Sequence, residues 1–242
     1  MRNLIILVST ILFTQTTWAS FFKDSCRHLQ SGQEILSADQ VKELKKDNRI
    51  VEHESIETLT TNEYNKHIKD FFFELCKAPY KHRKLIKRRG LETHLVAGSI
   101  SLHPYIQSLT VGPRGHTTNW DPIPGVAAVS KTQPSVVNIK SLYALHGSKN
   151  LVLHEFAHVL DQFFNAYETV NFDLSPSPTF VELSEATHWT QLYGAFLVPY
   201  HKENPEEHFA ELYARWYHSE ETQAEAKALV PGIESFIDSL LP

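Results

Sequence analysis

The chain has 242 residues, with 23 Lys and Arg against 28 Asp and Glu, and a formal net charge of −5. This length is enough for one sizeable hydrophobic core, and a hydrophobic content of 42% is ordinary for a globular protein. The mildly acidic balance excludes a protein that coats nucleic acid or an anionic membrane.

The N-terminus, residues 1–19, is predicted to be a secretory signal peptide. Arg2 supplies a positive start, Leu4 to Phe13 is a short apolar run, and cleavage is predicted after about Ala19. An uncleaved membrane anchor is the alternative, but the apolar run is short for a spanning helix. Since no later segment is long and apolar enough to cross a bilayer, we expect a secreted or periplasmic protein without stable membrane insertion.

Residues 20–83 are predicted to form a helical N-terminal arm. Ser37 and Gln40 form a capping box, with Ser at the N-cap and Gln three residues later, at the start of one helix. A second helix is expected from about Thr61 to Cys76, because its apolar residues recur at helical spacing. The segment from Lys81 to Arg89 is predicted to continue as a helix that ends at Gly90.

The sequence contains two cysteines, Cys26 and Cys76, both in the predicted arm. After export they would meet an oxidising compartment, where they could form a disulfide bond. Two buried free thiols are the alternative, because spacing along the chain does not set the geometry of a bond.

The remainder, residues 84–242, is predicted to be one α+β domain. Residues 92–102 indicate one strand or two, and residues 112–125 are rich in glycine and proline and indicate a shaped loop. Further elements are expected as strands at 126–130 and 135–139 and as helices at 179–194, 205–219 and 221–240. The expected architecture is a small mixed sheet beside the helix that contains residues 154–158, followed by a helical C-terminal half.

The string at 154–158 reads His-Glu-Phe-Ala-His and is the most informative in the chain. Histidines four residues apart lie on one face of a helix, where their ring nitrogens can bind one zinc ion. Glu155 between them would stand beside the open position of the metal as a general base. A helix with two incidental histidines is the alternative, and a third ligand would decide between the two interpretations.

Two arrangements could supply that third ligand. A further histidine in the extended pattern His-Glu-x-x-His-x-x-Gly-x-x-His is excluded, because the last two positions hold Asp161 and Phe164. A glutamate from a later helix is the other arrangement, and Glu207 is the candidate. Glu211, one turn further on, could accept the ring N–H of a ligating histidine.

The helix that would contain these glutamates has recognisable start signals. Asn204 is a favourable N-cap residue and Pro205 suits the first helical position. By themselves, these signals and the acidic first turn also fit an ordinary capped surface helix.

Four segments of the chain are similar to sequence patterns of a known family. Residues 112–125 are similar to the pattern P-K/R-G-W … T-W-D-D-V-P-G, and residues 150–153 run into the His-Glu-x-x-His helix. Tyr200 lies seven residues before Glu207, and residues 205–211 are similar to P-E-E-F-F-A-E. Together these segments resemble the anthrax lethal factor-related zinc metallopeptidases, and within them the small secreted Pro-Pro endopeptidases, over about residues 84–242.

This resemblance implies a zincin-like fold and a gluzincin-type zinc metalloendopeptidase with one zinc ion per chain. It also implies a role for individual residues: His154, His158 and Glu207 as zinc ligands, Glu155 as general base, Tyr200 as donor to the oxyanion, Glu211 as partner of a ligand, and Trp120 and Glu206 as substrate contacts. Three positions depart from the family pattern, and we place them around the substrate groove: His116, Pro122 and His208.

The sequence therefore predicts a monomeric, secreted zinc endopeptidase that acts on peptide or protein substrates and is directed to proline. One alternative is a peptidase of the lethal factor type without a Pro-Pro preference. Another is a zinc-containing binding module without catalytic activity. The zincin arrangement further predicts that an edge strand binds the peptide by β-augmentation.

Overall fold

A computed structural model describes residues 24–31, 36–110, 112, 119–127, 133–144, 147–164 and 177–240. The predicted signal peptide and His116 lie outside the described residues. Within the described ranges, no helix combines the length and the apolar character that a bilayer-spanning segment requires.

The helices occupy most of the described chain. The α-helices are α1 Ala38–Asn48, α2 Thr61–Leu75, α3 Tyr80–Arg89, α4 Pro104–Gln107, α5 Leu151–Phe164, α6 Pro178–Glu185, α7 Trp189–Glu203, α8 Pro205–His218, α9 Glu220–Leu229 and α10 Ile233–Ser239. Short 3-10 helices lie at Ser25–Ser31, Glu54–Thr58, Ile100–Leu102 and Ile139–Ser141.

The sheet has four strands, β1 Ile50–Glu52, β2 Thr93–Val96, β3 Gly125–Val126 and β4 Ser135–Asn138, in the order β1-β2-β4-β3. β1, β2 and β4 run parallel, and β3 pairs antiparallel with β4. Successive side chains of a strand face opposite sides. Leu95 accordingly packs in a cluster with α2 and α5, whereas Val96 packs in a second cluster on the far side of the sheet. The predicted α+β class with a small mixed sheet is confirmed.

Local signals placed the N-terminal helices correctly. Ser37 and Gln40 form the predicted capping box: Ser37 Oγ accepts from the N–H of Gln40, and Gln40 Oε1 accepts from the N–H of Ser37. The last of these helices, α3, ends at Gly90 with φ 77°, a left-handed conformation that glycine adopts without strain.

The segment 92–102 contains one strand followed by a 3-10 helix, within the prediction of one strand or two. Two predicted helices were wrong in extent. The helix expected at 179–194 is interrupted after Glu185, because the N–H of His188 donates to Leu229 O of α9 instead of continuing the helical pattern. The helix expected at 221–240 is two helices, because Gly232 adopts φ 89° between them.

Helix α5 lies between the two largest clusters of buried side chains. Leu153, Ala157 and Leu160 pack with α6, α8, α9 and α10. Leu151 and Val152, at the start of the helix, pack with α1, α2 and the sheet. Elements that precede α5 and elements that follow it in the chain therefore both contribute to the position of the helix that contains the two motif histidines.

A disulfide bond connects α2 to the first 3-10 helix, and polar contacts connect α2 to the start of α5. Cys26 and Cys76 form a disulfide bond at the end of α2, which decides between the two alternatives left by the sequence. The buried carboxylate of Glu74 lies 2.5 Å from Asn150 Nδ2, and Asn150 Oδ1 accepts from the N–H of Leu153 in the first turn of α5.

Acidification is expected to destabilise this fold through His82. His82 is buried with Nε2 3.1 Å from Leu240 O and Nδ1 2.9 Å from the Tyr213 hydroxyl, and burial lowers the pKa of its ring to about 4. The carbonyl can only accept, so Nε2 donates and Nδ1 accepts, which favours a neutral ring. Because an unfolded histidine has a pKa near 6.5, stability should fall as the pH drops from about 6.5 to about 4.

His82→Gln tests this pH dependence. The free energy of unfolding in urea, measured with a chelator present at pH 7, 6 and 5, should fall less steeply in the variant, by up to about 1.4 kcal/mol per pH unit. The exposed His188, changed to Gln, is the matched control and should retain the wild-type slope. An unchanged slope in His82→Gln would assign the acid sensitivity to other groups.

Candidate metal centre

Three predicted ligands converge where α5 and α8 pack together. The Nε2 atoms of His154 and His158 are 3.1 Å apart. The carboxylate of Glu207 reaches both, with Oε2 3.3 Å from His154 Nε2 and Oε1 3.5 Å from His158 Nε2. These side chains offer one ligand atom each within 4.8 Å of one another, which is the geometry of a single metal site.

The packing of the two helices explains this convergence. The buried face of α5 includes Leu153 and Ala157, and the buried face of α8 includes Phe209 and Ala210, all in one cluster. Because neither alanine side chain extends beyond Cβ and both are fully buried, they leave room for the two helices to approach closely. The motif histidines lie on the adjacent face of α5 and are therefore turned toward the glutamates of α8.

The start of α8 differs from the prediction in one respect. Pro205 occupies the first turn as expected, but the Asn204 side chain makes no capping hydrogen bond to α8. Its Nδ2 instead donates to Tyr200 O at 2.7 Å, because Asn204 also follows the last residue of α7.

The electrostatics of the three donors favour a bound cation. Burial alone would lower the pKa of His154, but the carboxylates of Glu207 and Glu211 raise it to about 10. Burial would also raise the pKa of Glu207, yet the two histidines hold it well below its usual range. The site therefore attracts positive charge. Two imidazole nitrogens and one carboxylate oxygen are a donor set of catalytic zinc, so these residues fit the metal, and its binding should release a proton.

Glu211 lies on the Nδ1 side of the His154 ring, and its predicted role of orienting a ligand stays a prediction. Its Oε2 is 3.7 Å from His154 Nδ1. Its Oε1 accepts from Arg215 Nε at 2.9 Å and from the N–H of Lys149 at 3.3 Å. A carboxylate held by a cation on one side can fix the tautomer and the orientation of a ligating imidazole on the other.

Glu155 is buried against β3. A Cβ atom placed on Gly125 would lie only 2.9 Å from Glu155 Cγ and Oε1. The backbone N–H of Ala127 donates to its carboxylate, while burial raises the pKa of that carboxylate to about 7. A glutamate with this pKa can accept and return a proton near neutral pH.

Gly125→Ala is expected to lower turnover by about 10–100-fold while zinc remains bound. The added methyl carbon would lie 2.9 Å from the Glu155 side chain, which is closer than van der Waals contact allows. The carboxylate or the strand must therefore shift. A displacement of about 1 Å in a catalytic group typically costs about 10²-fold. Measured kcat and zinc content test this effect, with Val126→Ala as the neighbouring control. Wild-type kcat in Gly125→Ala would show that the close approach has no catalytic consequence.

The other predicted site residues lie at three different places in the fold, and their part in the site stays a prediction. Tyr200 is half-buried in α7, and Glu206 is half-buried in the first turn of α8, next to Glu207. Trp120 is half-buried in the cluster on the far face of the sheet. The following residue, Asp121, accepts hydrogen bonds from the hydroxyls of Ser99 and Ser101, so the loop that contains Trp120 is anchored.

One departure from the family pattern was placed wrongly. His208 is fully buried, with Nδ1 2.7 Å from the Tyr193 hydroxyl and Nε2 3.4 Å from Thr187 Oγ1, and does not line a substrate groove. It follows Glu207 by one residue on the helix and consequently faces the core. Pro122 is exposed beside Asp121.

Sequence reasoning also missed two residues of the site. Arg215, which holds Glu211, lies four residues after it on α8, a spacing that typically marks an ion pair on a helix. Gly125 ends the glycine- and proline-rich segment 112–125, but nothing in that segment indicates that the Glu155 side chain lies against it.

Comparison with known proteins places the chain in a family. The family described as anthrax toxin lethal factor, N- and C-terminal domain, matches residues 44–240. The chain belongs to this family. The Pro-Pro endopeptidase of Clostridioides difficile (strain 630) is 26% identical over 164 residues, which cover 66% of this chain and 69% of that protein. The match to the lethal factor family includes α2 and α3, and how the predicted arm divides from the predicted domain stays a prediction.

A solved structure supports the fold. The Pro-Pro endopeptidase from Paenibacillus alvei matches with a TM-score of 0.65 and 22% identity, covering 81% of this chain and 99% of that one. The predicted zincin-like fold of the lethal factor family is thereby confirmed. All the candidate site residues lie within the range that the family matches.

Proposed function

We propose that this member of the lethal factor family is a secreted, zinc-dependent endopeptidase of the gluzincin type. The observation that carries the proposal is the cluster of His154, His158 and Glu207, with Glu155 between the two histidines in the sequence. The names of the two Pro-Pro endopeptidases to which the chain is similar support peptide bonds as the substrate.

Zinc held by these three residues would polarise the scissile carbonyl and acidify the attacking water. Glu155 accepts the proton of that water and passes it to the leaving nitrogen, a role that its raised pKa of about 7 suits. Tyr200 donates its hydroxyl to the oxyanion that develops on the carbonyl, and such a donor typically contributes 10²–10³-fold in rate. Glu211 keeps the His154 ring oriented.

The substrate would lie along β3 as an added strand. β3 is an edge strand of the sheet, and its Gly125 lies against Glu155. A peptide that pairs with this edge would therefore lie next to the proposed general base. Trp120 and Glu206 are the proposed substrate contacts, and proline on both sides of the cleaved bond is the proposed preference. The protein is proposed to act as a monomer.

The decisive experiment combines metal analysis with a cleavage-site profile. Purified mature protein should contain about one zinc ion per chain, and a chelator should abolish cleavage of a random peptide library. Sequenced products should be enriched in proline on both sides of the cut. Cleavage without that enrichment would indicate a peptidase without Pro-Pro preference, and zinc-loaded protein that cleaves nothing would indicate a binding module.

Secretion and the predicted processing are tested separately. N-terminal sequencing of the exported protein should begin near Ser20, and retention of residues 1–19 would contradict the predicted cleavage. Size-exclusion chromatography with light scattering tests the monomeric state.

A further inference from the structure

The second half of α7, which contains Tyr200, has little support from its own backbone. Gly194 adopts φ 70° and ψ 155° and divides the helix into 189–193 and 195–203. This conformation is open to glycine almost alone. Pro199 has no N–H and cannot donate to the carbonyl of Ala195, so a further helical hydrogen bond is lost. Tyr200 O accepts hydrogen bonds from Asn204 at the end of the segment, so side-chain packing must supply support on the side of the break.

His201 is the side chain that anchors this segment in the core. Of residues 195–204, all of which the structure describes, His201 alone is buried, with 6% exposure. Its ring stacks on Tyr193, with centroids 3.9 Å apart and planes at 21°. The ring of Tyr200 meets it edge-on, with centroids 5.3 Å apart and planes at 76°. Edge-to-face contact is a preferred arrangement of aromatic rings.

Tyr193 connects this stack to the helix of the ligand Glu207. The Tyr193 hydroxyl and His208 Nδ1 are 2.7 Å apart, and His208 directly follows Glu207 in α8. A continuous series of contacts thus runs from α8 through Tyr193 and His201 to Tyr200. These contacts connect the Tyr200 ring, across the break in α7, to the helix that contains Glu207.

We propose that His201 is a positioning residue, which by stacking on Tyr193 holds the Tyr200 hydroxyl where charge develops on the scissile carbonyl oxygen. This rests on the proposed function, in which Tyr200 is the donor to the oxyanion. His201 Nδ1 is buried and has no hydrogen-bond partner among the described residues. The contact of the ring with Tyr200 is edge-to-face packing.

Kinetics of His201→Ala and His201→Phe test the proposal. The alanine variant loses the stack and should lose kcat by about 10–100-fold, with KM within about threefold, because the oxyanion forms only in the transition state. The phenylalanine variant keeps a planar ring and should return to within about threefold of wild type. Zinc content should stay near one per chain in both. His188→Ala, an exposed histidine at the start of the same helix, is the matched control and should keep wild-type kcat.

A double-variant cycle separates positioning from general loss of structure. If His201 acts through Tyr200, His201→Ala should cost less than about twofold once Tyr200→Phe is present. Equal losses in both backgrounds, or wild-type kcat in His201→Ala, would overturn the proposal. A variant that failed to fold would lower thermal stability and zinc content together, and His201→Leu, which fills the same space without a flat ring, would then take its place in the cycle.

A crystallographic readout does not depend on activity. In zinc-loaded crystals the Tyr200 ring should move by about 1 Å or more in His201→Ala and stay in place in His201→Phe. An unmoved Tyr200 in the alanine variant would overturn the inference even in an active enzyme. Absence of cleavage by the wild type would instead contradict the proposed function, and the ring position would still decide the role of His201.

Discussion

Glu155→Gln is expected to lower kcat by about 10²–10⁴-fold while about one zinc ion per chain remains bound. The amide has the same size as the carboxylate but cannot accept the proton of the attacking water, and this range is typical of a lost general base. Zinc should remain because Glu155 is not in the group of potential ligands formed by His154, His158 and Glu207. Single-turnover kinetics and metal analysis on the same preparation would measure both quantities.

The buried position of Glu155 makes this substitution more informative than alanine. Alanine would leave space beneath Gly125 and could let β3 move, whereas glutamine fills the same volume. Glu203→Gln, an exposed acidic residue on α7, is the matched control for loss of one charge. Wild-type cleavage by Glu155→Gln would remove this residue from the proposed mechanism.

Glu207→Gln is expected to weaken zinc binding by at least about 100-fold. Removing groups that merely orient a ligand typically costs 10–100-fold in affinity, so loss of a charged ligand should cost more. The variant also loses the carboxylate that contacts both histidines, at 3.3 Å and 3.5 Å. Competition with a chromogenic chelator would give the affinity, with Glu203→Gln again as control.

Thermal stability provides a second test of whether the Glu207 carboxylate binds zinc. A ligand that binds only the folded protein stabilises it, by about 2.7 kcal/mol when present at 100 times its dissociation constant. Added zinc should therefore raise the melting temperature of the wild type and have much less effect on Glu207→Gln. An equal rise in both proteins would show that the carboxylate is not a ligand and would undermine the assignment of the centre.

Much of the fold and the core of the site could be predicted because the signals are local. The spacing of His154 and His158 determines that they share a helix face, and Pro205 marks the start of the helix that contains Glu207. The capping box of α1 and the glycine end of α3 depend on neighbouring residues in the same way. The resemblance in residues 205–211 then connected two helices that no local rule would join.

The errors arose where tertiary contacts decided the outcome. The helix predicted at 179–194 breaks because the backbone of His188 bonds to α9, some forty residues later in the chain. His208 looked like a groove residue, yet it faces Tyr193 in the core. The side chain of Asn204 serves the end of α7 instead of the start of α8. In each case a distant partner competed successfully with a local preference.

By itself, the sequence predicted the class of chemistry, since the types and spacing of His154, Glu155 and His158 are typical of a helix that binds zinc and supplies a general base. Only the tertiary structure decided that Glu207 reaches both histidines, that Gly125 leaves room for Glu155, and that His201 stacks on Tyr193 and meets Tyr200 edge-on. Helical periodicity fixes which side chains share a face, whereas the packing of separate helices fixes which faces meet, and a catalytic site needs both.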